Sequence, residues 1–217
     1  MNLQKRDCSI KIEFCNVRAG WLQMHLCING ETLKFVSSYC LGDGFHALLE
    51  RIYYLHPNSY DWDYSGDIVD SIKIMVPINE KNKTSSVFVP YRTSFDWDEE
   101  GGIINWEMER EPTLDKEFYL NITLGIHRDD TDEYKKYTVS YKEFCYALAK
   151  AYTELLKRQG INGFHESYLD RDINLRYLLF IKAIALDADD MINTNIDDKY
   201  SVFSDLNKEL ELLMFDM

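Results

Sequence analysis

The sequence predicts an α+β fold: an N-terminal antiparallel sheet with one crossing helix, followed by C-terminal helices packed on the sheet. Apolar and polar residues alternate with period two, between turn signals, through most of residues 8–139, the mark of half-buried strands. After Val139 the period changes to helical spacing. Alternation within the strands also means that one sheet face is wet or lightly covered, which disfavours a parallel α/β arrangement.

Taken in order, Ile10, Ile12 and Phe14 alternate with Ser9, Lys11 and Glu13, and Leu22, Met24, Leu26 and Ile28 alternate with Gln23, His25, Cys27 and Asn29. Asn29 and Gly30 then precede a third alternating run through Leu33 and Phe35. Both residues tolerate positive φ, so the pair predicts a type I′ hairpin turn. Phe45, Leu48, Leu49, Ile52 and Leu55 fall at helical spacing, with Asp43 and Gly44 as capping candidates and His56 and Pro57 as the stop. Further strands are expected around Ile72, Ile74 and Val76, around Val87 and Val89, around Ile104, Trp106 and Met108, and over 119–126, with Pro77 and Pro90 near strand ends or on an edge. Residues 125–137 read as a charged turn. Ser140 and Glu143 form a capping box that starts a long helix with Phe144, Leu148, Ala151 and Leu155 as its buried stripe, and Gly160 suits a left-handed closing residue. A helix over 173–186, apolar on most sides, is expected to be heavily buried. A last helix from about Asp205 carries Leu206, Leu210 and Leu213.

These elements are expected to make a single domain over 1–217, sheet-rich over 8–139 and helical over 140–217, with 163–217 as a possible appended helical subdomain. A chain of 217 residues that is 46% hydrophobic and 14% aromatic can build a sizeable core. The opening residues carry basic charge without a secretory apolar stretch, and the longest apolar run is too short to span a bilayer, so the expected location is cytoplasmic, with no membrane contact. Cys8, Cys15, Cys27, Cys40 and Cys145 form an odd set without a C-x-x-C pair, as reduced thiols would.

Net charge is −13, with a pI near 4.8, which argues against nucleic acid and for a basic partner. The acidity is local. Residues 96–135 hold 13 acids against 4 bases, and residues 187–217 hold 9 against 2. Charge runs are most often solvated surface. Interleaved with aromatic residues, they also suit docking onto a basic protein. The expected partner surface is Asp96, Trp97, Asp98, Glu99, Glu100, Asp129, Asp130, Asp132 and Glu133.

No catalytic residue, metal ligand or cofactor emerges from the motifs. Asp61, Asp63, Ser65, Gly66 and Asp67 match the front of a calcium loop, but Ile72 stands where a bidentate glutamate should close it. His25, His46, His56, His127 and His165 show no ligand spacing. His127, beside Arg128, Asp129 and Asp130, is the histidine best placed for a polar contact. Hydrolase elbows and phosphate-binding glycine loops are lacking, and Cys145 reads as a buried structural thiol.

Gly20, Trp21 and Leu22 opening a strand, the Asn-Gly hairpin, Ser37, Ser38 and Tyr39 leading to the helix that opens at Phe45, and the long helix reaching Arg158 and Gly160 form a pattern over 8–168. It resembles small, uncharacterised bacterial cytosolic α+β proteins, some of them immunity proteins of polymorphic toxin systems. The resemblance implies a non-enzymatic binding factor with a toxin-like basic partner and carries over no functional residue. Two alternatives stand beside it: an enzyme whose site is assembled only in three dimensions from His25, His127 or the acidic turns, and an acidic accessory subunit docking through the last helix. The oligomeric state is left open.

Overall fold

A computed structural model describes residues 10–38, 43–57, 59, 68–77, 84–128, 131–169, 171–192, 195–196 and 202–217. The chain is α+β, with its long helices after the strands. The strands form two antiparallel sheets, one of three strands and one of five, besides a two-residue pairing of Asn195–Ile196 with Val202–Phe203. The chain divides into two compact units, Met1–Cys40 with Lys142–Met217, and Leu41–Tyr141.

The first unit opens with β1 (Ile10–Arg18), β2 (Trp21–Ile28) and β3 (Glu31–Ser38), a meander in which alternation places Ile10, Ile12, Phe14, Leu22, Met24, Leu26 and Ile28 inside. Asn29 and Gly30 both have positive φ, as the type I′ turn requires. A second tight turn, at Ala19 and Gly20, also has positive φ at both residues. Alanine is not a residue that announces such a turn. The Gly20 amide is held by Ser167 O at 2.8 Å.

The same unit takes in α2 (Tyr141–Ser167) from Lys142 on, and the helix buries the expected Phe144, Leu148, Ala151 and Leu155. The Tyr152 ring meets Phe14 edge-on at 4.8 Å, and Arg158 and Gln159 donate to Phe14 O and Val17 O. Gly160, at φ 70° and ψ 171°, breaks the helix as expected, but helical turns resume and run to Ser167. The apolar helix α3 (Leu175–Leu186) starts at an Asn174 cap and ends at left-handed Asp187, with its C-terminal half buried. A helix α4 (Leu206–Met214) is capped by Asp205.

Lys182 is the polar exception in the α3 core, fully buried yet bonded three times, to Thr153 Oγ1, Leu213 O and Phe215 O. Its ammonium thus closes the C-terminal carbonyls of α4, where a cation is favoured. Burial, helped by the Lys157 charge and opposed by Asp216, lowers its pKa to about 8.

In the second unit, α1 (Gly44–Tyr54) begins at the Asp43 cap, whose carboxylate accepts from the His46 amide, and buries Phe45, Leu48, Leu49 and Ile52. The five-stranded sheet runs in order β4 (Ile68–Pro77), β5 (Thr84–Glu99), β6 (Gly102–Glu109), β7 (Tyr119–Arg128), β8 (Thr131–Ser140). Two expectations change here. β5 runs on from the expected Val87 and Val89 through the acidic residues to Glu99, and residues 125–137, read as a charged turn, hold the end of β7 and most of β8, an edge strand whose side chains are mostly exposed, which lets charge sit in a strand. One sheet face is apolar: Phe95, Trp97, Ile104, Trp106, Met108, Ile122, Leu124 and Ile126. Arg110, buried at the end of β6, donates to Pro90 O and Glu111 O and lies over the Phe118 ring.

Helix α1 lies against β5 at a point of close approach. A Cβ on Gly44 would sit 2.5 Å from the Trp97 indole. Gly44→Ala should therefore destabilise the protein by about 1–3 kcal/mol in chemical denaturation, since overpacking outweighs the roughly 1 kcal/mol that alanine gains in helix propensity. A second expectation concerns pH. The unfolded chain keeps the Lys182 proton up to its ordinary 10.5, while the folded chain releases it near 8. In that window the unfolded state binds more protons, so stability rises with pH. Lys182→Met should lack this rise, and its stability difference from the native protein should change by roughly 3 kcal/mol between pH 8 and 10.5.

Candidate functional site

The site follows from strand alternation and from one register. Along β5 the sequence Asp96, Trp97, Asp98 sends its two aspartates to the open face and the indole to the core. Trp97 is 0% exposed. The tryptophan expected to anchor a partner is thus a packing residue, and of this segment only its charged neighbours reach the open face or the turn. Glu100 stands exposed at the turn between β5 and β6, beside Gly101.

β5 pairs with β6, β6 with β7 and β7 with β8, so Glu99, Gly102, Arg128 and Thr131 form one row across four strands, and Asp98, Ile103, His127 and Asp132 form the next. The two acidic segments, some 30 residues apart in sequence, therefore share one end of one sheet. Asp132 lies on the open face with Asp96 and Asp98. Glu133 points to the opposite face, where Lys135 approaches it at 2.7 Å. Asp129 and Asp130, between Arg128 and Thr131, lie outside the described residues, as do residues 61–67 of the calcium-like motif, Cys8 and Cys40.

Polar contacts tie this end together. Arg128 donates through Nε and Nη2 to the two oxygens of Glu99, at 2.7 and 3.1 Å. Asn105 Nδ2 donates to Asp96 Oδ1 at 2.6 Å. His127 Nδ1 lies 2.6 Å from Asp132 Oδ1, and because a carboxylate only accepts, the ring proton belongs on Nδ1. Gly125 supplies the floor: a Cβ there would meet His127 Nε2 at 3.2 Å, Tyr134 Cε1 at 3.3 Å and Asn105 Oδ1 at 3.6 Å, so its bare backbone lets three side chains converge over the strand. The His127 and Tyr134 rings meet edge to face at 5.9 Å.

The result is an open depression of about 620 Å³, lined by Asp98, Glu99, Gly101, Gly102, Ile103, Asn105 and His127. Ile103 is 43% exposed, an apolar contact amid the carboxylates. A His-Asp pair can move a proton, but the lining holds no serine, cysteine or lysine to act as a nucleophile. No group of three His, Cys, Asp or Glu residues suited to a metal ion occurs among the described residues.

The other histidines serve local structure. His46 Nδ1 joins the Asp43 cap at 2.5 Å, buried His56 lies beside the Tyr141 ring, and His165 contacts Asp172 at 3.0 Å. His25 belongs to the other unit, on the open face of its sheet, with Cys15 Sγ at 3.9 Å. Burial, and then the Glu13 charge, push the Cys15 thiol pKa up, away from a reactive thiolate. In the second acidic region Asp187 pairs with Lys142 and Asp216 with Lys157, so part of its charge is likewise met within its unit. On α4, Leu206, Leu210 and Met214 are 64%, 48% and 77% exposed at i, i+4, i+8 spacing, whereas Leu212 is buried. No helix among the described residues is long and apolar enough to cross a membrane.

No protein-family model matches the chain, and no curated protein and no solved structure matches it.

The Glu99 side chain is 8% exposed, so its charge relies on Arg128. Arg128→Gln should lower stability by about 1–2 kcal/mol in denaturant titration, the scale of a charge-assisted pair with one partner poorly hydrated. The amide of Gly102, opposite Arg128, should lose hydrogen-exchange protection in the same variant.

Proposed function

We propose that the protein is a non-enzymatic, immunity-like binding factor of the cytoplasm that holds a basic protein partner, such as a toxin, against the acidic end of its five-stranded sheet. The observation that carries this reading is the cross-strand register that gathers Asp96, Asp98 and Asp132 on the face of Ile103 and His127, with Glu100 at the adjoining turn. Preplaced carboxylates beside an exposed apolar residue provide both steering charge and a short-range contact. Acidity of this density disfavours nucleic acid as the partner. The free thiols Cys15, Cys27 and Cys145 suit a reducing compartment.

A second reading, an accessory subunit of a larger complex, is favoured by the apolar stripe of Leu206, Leu210 and Met214 on α4.

Both readings meet in one experiment: affinity capture from native cells at about 0.15 M and about 1 M salt, where screening lengths are roughly 8 and 3 Å. The native protein is compared with Asp96→Lys/Asp98→Lys/Glu100→Lys and with Leu210→Glu, each checked for unchanged melting. A basic protein captured by the native chain should be lost at high salt and from the charge variant, and kept by Leu210→Glu. A partner held equally well by the charge variant contradicts the acidic site. One that resists salt and is lost only from Leu210→Glu moves the function to α4.

A further inference from the structure

We propose that β8 is the seam of a homodimer, pairing antiparallel with β8 of a second copy about a two-fold axis through Tyr134. Among the described residues no strand pairs with the outer side of β8, which closes the sheet order at that end. An edge strand of ten residues without proline is a template on which another strand can pair.

The occupant is argued from charge. In an antiparallel pair, residues directly opposite share the same backbone sense, both turned toward the partner strand or both away. Two copies of one strand related by a two-fold axis therefore oppose residues whose numbers differ by an even amount, and the axis passes through a residue. Centred on Glu133, Lys135 or Lys136, β8 would face a like-charged copy of that residue. Centred on Tyr134, it sets Asp132 against Lys136 and Glu133 against Lys135 of the second copy, twice over by symmetry, with Tyr134 against Tyr134 between them. Each face of the strand then carries its own match: Asp132, Tyr134 and Lys136 lie on the open face, and Glu133 and Lys135 on the other. Opposite charges across strands stabilise, and like charges destabilise.

Among the other edge strands, β1 offers one such pair, Lys11 against Glu13, while in β3 and β4 the only oppositely charged residues, Glu31 with Lys34 and Asp70 with Lys73, are an odd number apart. Tyr134 is 68% exposed, a large aromatic surface at the centre of the seam. Asp132 already accepts from His127 through Oδ1, and a carboxylate has the capacity for a second donor. Lys135, held beside Glu133 of its own strand, would have Glu133 of the second copy across the seam. The dimer joins the two five-stranded sheets into one continuous sheet with an acidic end at either side, leaving Asp96, Asp98 and Glu100 clear of the seam.

Sedimentation velocity at about 0.15 M salt, where the general repulsion of two acidic chains is screened, tests this with two reciprocal variants. One is Asp132→Lys/Glu133→Lys and the other Lys135→Glu/Lys136→Glu. The native chain should dimerise with increasing concentration. Each variant alone should dissociate about tenfold or more readily, because like charges then oppose. An equimolar mixture of the two should recover a heterodimer, since the swapped charges match across strands, and that recovery also shows that both variants fold. A native chain monomeric up to about 1 mM overturns the proposal and leaves the edge to an extended segment of another protein. A dimer unaffected by either variant, or a mixture that stays monomeric while its components keep their native circular dichroism, overturns it too.

Discussion

Pairing of β6 with β7 in the register that sets Gly102 against Arg128 and Ile103 against His127 is the constraint on which the rest of the second unit depends. It aligns Ile104, Trp106 and Met108 with Ile126, Leu124 and Ile122, so both strands bury the same face. A slip of one residue would send each of those side chains to the wrong side. The same register brings the β5–β6 turn beside the end of β7, lets Arg128 reach across β6 to Glu99, and sets His127 over the gap left by Gly125. Core and candidate site are two faces of one pairing.

Charge distribution follows a similar logic. Acids near the C-terminal end are partly met by lysines of α2, and Lys182 closes the carbonyls at the end of α4, so that charge serves packing within its unit. At the sheet end Asp96, Asp98 and Asp132 lie on the open face and Glu100 at the turn, while the little-exposed Glu99 engages cationic Arg128. The remaining acids, with Ile103 among them, form the surface proposed to receive a basic partner. This is why the recognition reading centres on the sheet rather than on the C-terminal acids.

Local elements were legible in the sequence and non-local ones were not. Asn29 and Gly30, the Asp43 cap and the α2 stripe depend on residues a few positions apart, and each stands where its chemistry indicates, whereas Gly160 has the positive φ expected of it but interrupts α2 instead of closing it. Trp97 was misread because the surrounding acids suggested a wet turn, while alternation along an extended strand puts every second side chain in the core. β8 was hidden for the opposite reason, since an edge strand can carry so many charged residues that its apolar alternation fades. His127 was noted for its acidic neighbours in sequence, yet its partner is Asp132, supplied by the β7–β8 register. Arg110 and Lys182 left no sequence signal, because a buried cation is decided by the carbonyls that tertiary packing brings to it. The division into two sheets depends likewise on long-range pairing that alternation cannot specify.

The most direct test of the β6–β7 register is a set of cross-strand NMR contacts. Backbone proton contacts should link Ile103 with His127, and Asn105 with Gly125, and continue across β7 from His127 to Asp132. Contacts displaced by one residue, such as Ile103 with Ile126, would contradict the account, because Asp98, His127 and Asp132 would then no longer share a face.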